Sequence, residues 1–577
     1  MVEVALSPAE EAAAAAQAQV TNCLLNEQNF RLEAGAGAGK TYSLVAALKW
    51  LIADRGSTLL KRGQKVACIT YTQVARDEIL QKIDVHPAIH VDTIHAFSWG
   101  IMQQFQSGLR DIVSTMERYQ EKLAEVEGIG SRRVEYKLGF FGIDDHTVTL
   151  SHDDVPYLMA RLLGIEKFRQ TFQRLYPIVL IDEYQDTDSH FMQALSDHFF
   201  STNQGPLIGL FGDQWQKIYG NSHAAAHYPN VQSIDKGANF RSAPAIVDVL
   251  NSLRPDLVQA VCDPNAPGEA RVFHTNDWEG ERFTSRNGRD DLSAAAAHRY
   301  LETLREHLAD EGWDFAPDET KILMLTHNVL AQEQGYPTIA DIFDRTESFV
   351  KKEDKHIEFL LDKVEPMCRA YAEQRYGRMF EVLGSMQAIR SHADKVRWRD
   401  DMAMLSQLRL NGSIGNVIDH LRQTRRPRLP ESVERRESEL VQRGPVAGDD
   451  EPRYITRLRR LRDVPYSEIT ALANYVEGST PFATKHGVKG AEFENVLVVL
   501  GGGWNHYNWP QLLELLTTRE INSRNEKAFL RARNLLYVAL SRPKKRLAVL
   551  VTQSLPATAI GTLNLMFGED CVVPAPL

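Results

Sequence analysis

The sequence lacks any hydrophobic run of the ~20 residues that a membrane-spanning helix needs, so we expect no membrane partner. It also lacks paired cysteines. Its five cysteines are Cys23, Cys68, Cys262, Cys368 and Cys571, and no two of them form a CxxC motif. Zinc and dithiol redox sites built on such pairs are therefore excluded, and we expect free, reduced thiols in a cytoplasmic protein.

An excess of positive charge is also missing. The 66 lysines and arginines are outnumbered by 76 aspartates and glutamates, which gives a formal net charge of −10. Binding of nucleic acid through overall charge alone is therefore excluded, although a local basic groove is not. The N-terminus lacks the basic and strongly apolar segments of a secretory signal peptide. Instead, Ser7, Pro8 and Glu10 form the pattern of a capped helix start.

Short β-rich runs alternate with helical patterns in the first third of the chain. The predicted strands are 30–33, 66–70, 178–181 and 207–211, and the predicted helices are 41–53, 73–83 and 189–199. Such alternation is typical of a parallel α/β sheet. Strand patterns return at 321–326, 495–500 and 546–551, which predicts a second α/β unit. Helix-rich insertions at about 103–174 and 338–463 interrupt the two units.

A phosphate-binding loop is predicted between the first strand and the helix after it. Small residues let backbone N–H groups approach phosphates, and the helix N-terminus adds partial positive charge. Lys40 would reach the β- and γ-phosphates of a nucleotide, and the Thr41 hydroxyl would bind Mg²⁺. The loop residues are Ala34, Gly35, Ala36, Gly37, Ala38, Gly39, Lys40 and Thr41. Alanine stands at the first position in place of glycine, so the general pattern is met only loosely.

Two carboxylates follow the predicted strand at 178–181. Asp182 and Glu183 are expected at the carboxyl edge of the parallel sheet, beside the phosphate loop. One carboxylate can hold Mg²⁺, and the other can orient or deprotonate the attacking water. Together with the loop, the pair predicts a nucleoside triphosphatase.

The run DEYQDT at 182–187 resembles motif II of the UvrD/Rep/PcrA group of superfamily 1 DNA helicases. Further runs resemble the other motifs of this family in the family's order. They are TYT at 70–72 with Ala75, DTIHAF at 92–97, GDQWQKIY at 212–219, NFRS at 239–242, LTHN at 325–328, TKHGVKGAEF at 484–493 and YVALSR at 537–542. The compact architecture and the GVKGAEF form of motif V also resemble the helicase subunits of Gabija anti-phage systems.

This resemblance implies an α/β fold with two RecA-like parallel-sheet domains, called 1A and 2A, and ATP in the cleft between them. It also implies mainly helical insertions, called 1B and 2B. The resulting division is 1–102 (1A, first part), 103–174 (1B), 175–235 (1A, second part), 236–337 (2A, first part), 338–463 (2B) and 464–577 (2A, second part).

The family's roles map onto residues of this sequence around ATP and Mg²⁺. Lys40, Thr41, Asp182 and Glu183 keep the roles given above, and Gln216 would sense the γ-phosphate. The resemblance implies that Arg241 and Arg542 act on the phosphates from across the cleft. The residues expected around the base and ribose are Gln19, with Gln17 as the alternative, Tyr42, Phe240, Gly490 and Glu492.

The resemblance also implies contacts with single-stranded DNA. The expected residues are Thr70, Tyr71, Thr93, His95, Phe97, Tyr219 and His486. For each aromatic residue alone, packing in the core is the competing interpretation. After motif III the family often has Trp-Arg where this sequence has Asn221 and Ser222. The base-stacking platform is therefore missing or moved, with Trp215 or Trp99 as substitutes.

Two functions from different classes remain open at this point. The first is an ATP-dependent translocase that unwinds tailed duplex DNA with 3′→5′ polarity, in repair or in anti-phage defence. The second is a DNA-sensing ATPase subunit that regulates a separate nuclease and unwinds little. The compact insertions, the missing platform and the short stretch after Arg542 favour keeping the second. The motif II and motif V patterns argue against an RNA helicase of the Upf group.

The densest basic stretch lies in the second insertion. Its members are Arg422, Arg425, Arg426, Arg428, Arg435, Arg436, Arg457, Arg459, Arg460 and Arg462. One interpretation is a solvated helix surface, because glutamates are interleaved with the arginines. The other is a surface that contacts DNA phosphates.

Overall fold

The computed structural model describes most of the chain. The described residues are 6–137, 142–218, 228–284, 290–324, 327–343, 347–384, 389, 391–444, 451–478, 480–483, 491–501 and 507–577, without the side chains of 294, 327–329 and 347. The chain forms two compact units. The first contains Met1–Ala270 and Leu515–Lys545, and the second contains Arg271–Glu514 and Arg546–Leu577.

The strands are numbered in chain order. They are β1 (Phe30–Ala34), β2 (Val66–Thr70), β3 (Ile89–Thr93), β4 (Arg133–Tyr136), β5 (Gly142–Ile143), β6 (Thr147–Leu150), β7 (Ile178–Asp182), β8 (Leu207–Gly212), β9 (Gln232–Lys236), β10 (Ala238–Asn239), β11 (Ala260–Val261), β12 (Glu269–His274), β13 (Thr320–Met324), β14 (Phe482–Ala483), β15 (Phe493–Leu500), β16 (Pro543–Val551) and β17 (Val572–Pro574).

The α-helices are numbered in the same way. They are α1 (Pro8–Leu25), α2 (Lys40–Lys61), α3 (Gln73–Lys82), α4 (Ile94–Met102), α5 (Gln106–Val113), α6 (Glu117–Glu125), α7 (Asp154–Leu163), α8 (Glu166–Leu175), α9 (Ser189–Leu195), α10 (Pro244–Leu253), α11 (Ala294–Asp310), α12 (His327–Glu333), α13 (Pro337–Ile342), α14 (Glu347–Val350), α15 (Lys355–Phe359), α16 (Glu365–Ala372), α17 (Tyr376–Leu383), α18 (His392–Asn411), α19 (Ile414–Thr424), α20 (Glu431–Gln442), α21 (Arg453–Asp463), α22 (Ser467–Val476), α23 (Trp509–Thr518), α24 (Glu526–Leu540) and α25 (Ala557–Phe567). The predicted capping box at Ser7 and Glu10 is present at the start of α1.

A parallel sheet forms the centre of the first unit. Its described strands follow the order β3-β2-β7-β8-β1-β9, and each described pairing is parallel. Strands β2, β7 and β8 are buried along their whole length, which explains their continuous apolar sequences. Because the strands are parallel, the ends of β1, β7 and β8 lie at one edge of the sheet. This confirms the predicted α/β class.

The insertion in the first unit is mixed rather than purely helical. Helices α5 to α8 surround a small sheet of order β4-β6-β5, and β5 pairs with β6 in antiparallel fashion. Its apolar side chains join those of α4 and α9 in one core, which includes Phe168 and Phe172. The insertion is therefore packed onto the first sheet through a continuous hydrophobic cluster.

The second unit contains another sheet and a helical region. The order of the second sheet is β14-β13-β15-β16-β12-β17, and β13 pairs in parallel with β14 and β15. Helices α13 to α22 form their own apolar core, with Trp398 and Tyr466 among its buried side chains. Within the described residues, no helix is both long and apolar enough to cross a membrane.

The two compact units differ from the six-part division expected from the resemblance. Residues 236–270 and 515–545, which were assigned there to domain 2A, belong to the first unit. The physical reason is local. Residues of both segments hydrogen-bond to the phosphate loop, as when the Phe240 N–H donates to the Gly37 carbonyl at 2.9 Å. The division into 1A, 1B, 2A and 2B remains a proposal.

Candidate functional site

The phosphate loop lies between the end of β1 and the start of α2, as the sequence predicts. Gly37 and Gly39 have φ angles of 76° and 71°, a region that glycine adopts without strain. A Cβ atom on Gly37 would lie 2.7 Å from Asn239 Oδ1. Both glycines are therefore required by the backbone, and Gly37 is also required by the close approach of a neighbouring side chain.

Carbonyl groups of the loop are held by the segment that follows β9. The Ala36 carbonyl accepts hydrogen bonds from Gln259 Nε2 at 2.9 Å and Asn239 Nδ2 at 3.2 Å. The Gly37 carbonyl accepts from the Phe240 N–H at 2.9 Å. Loop carbonyls engaged in this way are turned away from an incoming anion, and a phosphate-binding loop presents its amides instead.

Tyr537, on α24, reaches the same loop. Its hydroxyl accepts a hydrogen bond from the Ala36 N–H at 3.0 Å. The Tyr537 ring packs edge-on against Trp215, with ring centroids 5.6 Å apart. The guanidinium groups of Arg533 and Arg254 lie 3.7 Å and 5.3 Å from the Trp215 ring centroid. Trp215 is therefore packed between protein groups, which argues against it as the substitute base-stacking platform.

Lys40 and Glu183 form an ion pair, with 2.6 Å between Nζ and Oε2. Glu183 has a φ of 51°, in the left-handed region, and Gln185 also donates a hydrogen bond to its Oε2. Burial on its own lowers the pKa of Lys40, but Glu183, Asp182 and Asp213 outweigh it, so the net pKa is raised. Lys40 is therefore a firmly charged ammonium held against a carboxylate at the phosphate loop.

Asp182 lies at the end of β7 and is 5% exposed. Its Oδ1 atom is buried and has no hydrogen-bond partner among the described residues. Burial and the adjacent Glu183 raise the pKa of Asp182, while Lys40 lowers it. A buried carboxylate oxygen without a donor suits a hard cation such as Mg²⁺, and the half-buried Thr41 supplies a hydroxyl from the loop. The residues present therefore fit Mg²⁺.

A buried ionic network lies at the start of motif III. Asp213 is 0% exposed and pairs with Arg254 at 2.7 Å. Its second oxygen accepts a hydrogen bond from Gln216 Nε2 at 2.8 Å, which fixes the predicted γ-phosphate sensor. Arg254 Nη2 also lies 3.7 Å from Glu33 Oε2, and the Tyr184 hydroxyl donates to Glu33. The network thus links strand β1, motif II and motif III.

Arg241 and Arg542 lie together in the first unit. Arg241 Nη1 donates to the Ser541 carbonyl at 3.0 Å, and Arg542 Nη2 donates to Ser541 Oγ at 3.0 Å. Arg542 is 1% exposed and its Nε donates to the Val538 carbonyl at 2.9 Å. The two arginines predicted to act on phosphates therefore lie next to one another, within the unit that carries the phosphate loop.

Two exposed aromatic side chains flank Gly39. Tyr42 is 74% exposed and Phe240 is 44% exposed. A Cβ on Gly39 would lie 3.8 Å from Phe240 Cδ2 and from Tyr42 Cβ. On α1, Gln19 is exposed, whereas Gln17 is half-buried and its Oε1 is buried with no partner among the described residues. The two candidates for the adenine-reading role therefore differ in burial, and the role itself remains a prediction.

Among the residues expected to contact DNA, Thr70, Tyr71 and Thr93 lie at the ends of β2 and β3. Tyr71 is 45% exposed, directly after β2. Thr93 caps α4, since its hydroxyl accepts from the Ala96 N–H at 3.4 Å. The Thr70 hydroxyl donates to the Thr72 carbonyl at 3.2 Å and Thr70 is 1% exposed. Among these residues, Tyr71 presents the most accessible surface.

His95 stacks on His152, with ring centroids 3.5 Å apart and an interplanar angle of 12°. Burial, and then His152, lower the pKa of His95 to about 4. Tyr136 hydrogen-bonds to His152 and packs edge-on against Trp99 at 6.1 Å. Trp99 is half-buried in this cluster, so one side of it is covered by the small sheet of the first insertion.

The structure corrects the expectation for Phe97. This ring is 0% exposed and packs against Tyr176 with centroids 5.1 Å apart, so it belongs to the core and does not reach DNA. Glu492 lies in the second unit, just before β15. Three further expected site residues lie outside the described residues: Tyr219, His486 and Gly490.

Most arginines of the basic stretch are paired with carboxylates in the structure. The pairs are Arg422–Glu434, Arg426–Asp401, Arg436–Asp354, Arg459–Glu451, Arg460–Asp341 and Arg462–Asp419. Arg425, Arg428 and Arg435 are exposed. The pairing favours the solvated helix surface for most of the stretch, and exposure alone marks Arg425, Arg428 and Arg435 as candidates for phosphate contacts.

Sequence reasoning missed several residues that build the site. Tyr537 and Asn239 lie inside recognised motifs, and this position was the only indication in the sequence that they contribute to the site. Gln259 and Arg254 lie outside those motifs, in a segment without a recognisable pattern. Their roles depend on the folded position of β9, α10 and β11 beside the loop.

Comparisons with known proteins agree with this geometry. A family model described as an AAA domain matches residues 17–222. The chain is 22% identical to the Gabija protein GajB of Bacillus cereus, over 95% of this chain and 96% of that protein. It is 26% identical to the ATP-dependent DNA helicase Rep of Buchnera aphidicola, over 38% of this chain and 40% of Rep. It is also 33% identical to the RecBCD enzyme subunit RecB of Chlamydia trachomatis, over 18% of this chain and 11% of RecB.

The match to the AAA domain spans the phosphate loop and motif II. The chain is similar to UvrD/Rep-like superfamily 1 helicases, and these likenesses support an ATP-hydrolysing DNA helicase. The family resemblance seen in the sequence is thereby confirmed, and so is its consequence that this helicase is an ATP-hydrolysing enzyme.

Proposed function

We propose that this helicase is an ATP-driven translocase on single-stranded DNA that moves 3′→5′ and separates tailed duplexes. The observation that carries the proposal is the ion pair between Lys40 and Glu183 beside the unpartnered Oδ1 of Asp182. A lysine paired with a carboxylate at a phosphate loop, next to a buried carboxylate oxygen that can bind a metal ion, is the arrangement expected in a nucleotide-dependent hydrolase.

Arrival of the nucleotide would rearrange this pair. The β- and γ-phosphates offer Lys40 a stronger set of oxygens, so its ammonium leaves Glu183. Glu183 is then free to accept a proton from a water that attacks the γ-phosphorus, while the bond between that phosphorus and the bridging oxygen of ADP breaks. Thr41 and Asp182 would hold Mg²⁺, which neutralises charge on the phosphates when it is bound.

Arg241, Arg542 and Gln216 are proposed to act on the γ-phosphate. Arginine side chains stabilise the charge that spreads over the equatorial oxygens in the transition state. Gln216 is held by Asp213, so a change at the γ-phosphate is transmitted directly to motif III. This link couples hydrolysis to the segment that leads into Tyr219, a proposed DNA contact.

The adenine would bind between Tyr42 and Phe240, because both rings are exposed and both lie next to Gly39. An aromatic pair can stack on the two faces of a base. We propose Gln17, ahead of Gln19, as the side chain that reads the adenine edge. Glu492 and Gly490 are proposed near the ribose on the basis of the family resemblance alone.

Single-stranded DNA is proposed to contact Tyr71, Thr93, His95, Tyr219 and His486. Tyr71 is the best supported of these, because its ring is accessible at the carboxyl end of β2. Stacking of a base on an aromatic ring is worth ~1–3 kcal/mol and depends little on salt. A contribution of this size is needed in a protein with a net charge of −10, since its overall field repels DNA.

The deciding experiment is an unwinding assay on duplexes with a 3′ or a 5′ single-stranded tail, run beside a DNA-stimulated ATPase assay. Unwinding of only the 3′-tailed duplex supports the proposal. The Glu183→Gln variant serves as the inactive control, because it keeps the loop and Lys40. DNA-stimulated ATP hydrolysis without movement or strand separation would overturn the translocase and leave the second candidate.

The second candidate is a DNA-sensing ATPase subunit that regulates a partner nuclease, in anti-phage defence. It is supported by the likeness to the Gabija protein GajB over nearly the full length of both chains. Trp215, which is half-buried, is also packed against Arg533 and Arg254, which argues against it as a replacement stacking platform. A neighbouring reading frame for a nuclease, and DNA cleavage that requires ATP hydrolysis by this chain, would support it.

A further inference from the structure

Lys236, at the end of β9, is a buried lysine beside the phosphate loop. It is 1% exposed. The β9–β1 register pairs it with Ala34, the first residue of the loop. Its ammonium donates hydrogen bonds to the Gly39 carbonyl at 3.0 Å and to Ser43 Oγ at 2.8 Å. Both acceptors are neutral groups in the first turn of α2.

The charge of this ammonium is not balanced by a carboxylate. Among the described residues, no acidic side chain forms an ion pair with Lys236, and burial lowers its pKa to about 8 with no opposing carboxylate. Buried lysines are normally paired, because an isolated charge in the protein interior is costly. The amino end of α2 adds further positive potential at this position.

A buried cation at the positive end of a helix is stabilised if an anion binds beside it and balances its charge. We propose that Lys236 is a second phosphate-site cation, whose charge is balanced only when the phosphates of a nucleotide occupy the loop. This inference rests on the proposed function and deepens it. Lys40 supplies the charge on the Glu183 side of the loop, and Lys236 supplies it from the side of Gly39 and Ser43.

The position of Lys236 indicates which part of the nucleotide it serves. Its Nζ lies 6.0 Å from the Tyr42 ring centroid and would lie 3.7 Å from a Cβ on Gly39. Tyr42 and Phe240 flank the proposed adenine site, so Lys236 lies toward the base-proximal end of the phosphate chain. Its charge therefore strengthens the binding of nucleoside diphosphates and of nucleoside triphosphates to a similar extent. It contributes little to any preference of the site for one over the other.

The competing explanation is a purely structural role, in which the hydrogen bonds of Lys236 only stabilise the first turn of α2. The two explanations predict opposite effects of removing the charge. In Lys236→Met the Gly39 carbonyl still accepts the hydrogen bond from the Ser43 N–H, at 3.2 Å. The Ser43 hydroxyl is free to rotate toward the same carbonyl. Without the unbalanced charge, we expect the melting temperature of the nucleotide-free protein to stay the same or rise. A purely structural role of Lys236 predicts that this melting temperature falls.

The test measures the dissociation constants of ADP and adenosine by calorimetry, with the melting temperature of each variant. In Lys236→Met we expect ADP to bind about tenfold more weakly, as for a partly screened charge pair a few ångströms apart, with adenosine changed less than about twofold. Lys236→Gln is neutral but keeps a hydrogen-bond donor, so the same loss there assigns the effect to charge. Lys49→Met removes an exposed charge from α2 and should bind ADP like the unmodified protein.

Four outcomes would overturn the inference. They are unchanged ADP affinity in Lys236→Met, equal weakening of ADP and adenosine, full affinity in Lys236→Gln, and a lower melting temperature of nucleotide-free Lys236→Met. The Lys40→Ala variant separates this failure from that of the proposed function. If the unmodified protein binds ADP and Lys40→Ala does not, the nucleotide site stands, and only the role of Lys236 is refuted.

Discussion

The Nζ atom of Lys40 lies 2.6 Å from Oε2 of Glu183, so the proposed phosphate-binding cation and the proposed catalytic base neutralise each other in this structure. While it is paired with Lys40, the Glu183 carboxylate is not available to accept a proton from water. In the proposed mechanism the phosphates of ATP separate the two charges, so hydrolysis would depend on the correct position of the phosphates. The left-handed backbone of Glu183 keeps the carboxylate at the sheet edge where this exchange takes place.

Glu183→Gln should still bind ATP, because Lys40 and the loop remain, and it loses only the carboxylate that accepts the proton. We expect turnover to fall at least ~100-fold, within the range for removal of a general base. The measurement is steady-state phosphate release together with the dissociation constant of ATP. Turnover near that of the unmodified protein would refute the role of Glu183.

Arg542→Lys should lower kcat by several orders of magnitude, by analogy with arginine fingers worth ~10³–10⁵. Lysine keeps the charge but loses the planar group that donates to Val538 and Ser541. ATP affinity should fall far less than kcat does. If KM rises while kcat is unchanged, Arg542 binds the ground state and transition state equally, and the assigned role is wrong.

Arg254→Met should destabilise the first unit. Asp213 is 0% exposed, and loss of its guanidinium partner leaves a buried charge, which costs about 3–5 kcal/mol. The check is urea unfolding of Arg254→Met and of the double variant with Asp213→Asn. The double variant should recover part of the lost free energy of unfolding. Equal stability of the single variant and the unmodified protein would contradict the network.

His95 predicts a pH dependence of stability. Its pKa in the folded protein is lowered from 6.5 to about 4, so the unfolded chain binds more protons between these values. The stability associated with neutral His95 is therefore present above pH 6.5 and is lost as the pH falls toward 4. In urea unfolding at pH 7 and pH 4.5, His95→Phe should lose less stability than the unmodified protein. An identical loss in both would refute this role of His95.

The exposed arginines of the second insertion predict a salt effect on DNA binding. Neutralising Arg425, Arg428 and Arg435 together should reduce the salt slope on tailed duplexes by up to ~2, at ~0.7 per phosphate contact. Arg422→Gln with Arg460→Gln is the matched control, because both side chains are paired with carboxylates. Fluorescence anisotropy at several salt concentrations measures the slopes. An unchanged slope in the triple variant would make this surface a solvated one.

The catalytic core was predictable because its residues are contiguous. The phosphate loop, Asp182 and Glu183 are short runs at strand ends, and the parallel sheet brings those ends together. Phe97 was misassigned because a motif gives the residue type but not the side of the helix that is buried. Gln17 and Gln19 are about 200° apart around the axis of α1. Only the way in which that helix packs therefore shows which of the two side chains is buried.

The supporting residues were not predictable, since each is a single side chain from a distant segment. Arg254, Gln259 and Lys236 form no pattern with the loop in sequence. Their contribution depends on where the chain after β8 returns to the edge of the first sheet. The same reasoning explains why 236–270 and 515–545 belong to the first compact unit.

The hydrogen bond between Ala36 and Tyr537 joins residues 501 positions apart, which has a consequence for synthesis of the protein. The ribosome releases the phosphate loop first, and the segments that hold it follow much later. Domains generally fold in order from the N-terminus as they emerge. A nascent chain that has not yet reached Tyr537 therefore lacks one anchor of its own nucleotide site.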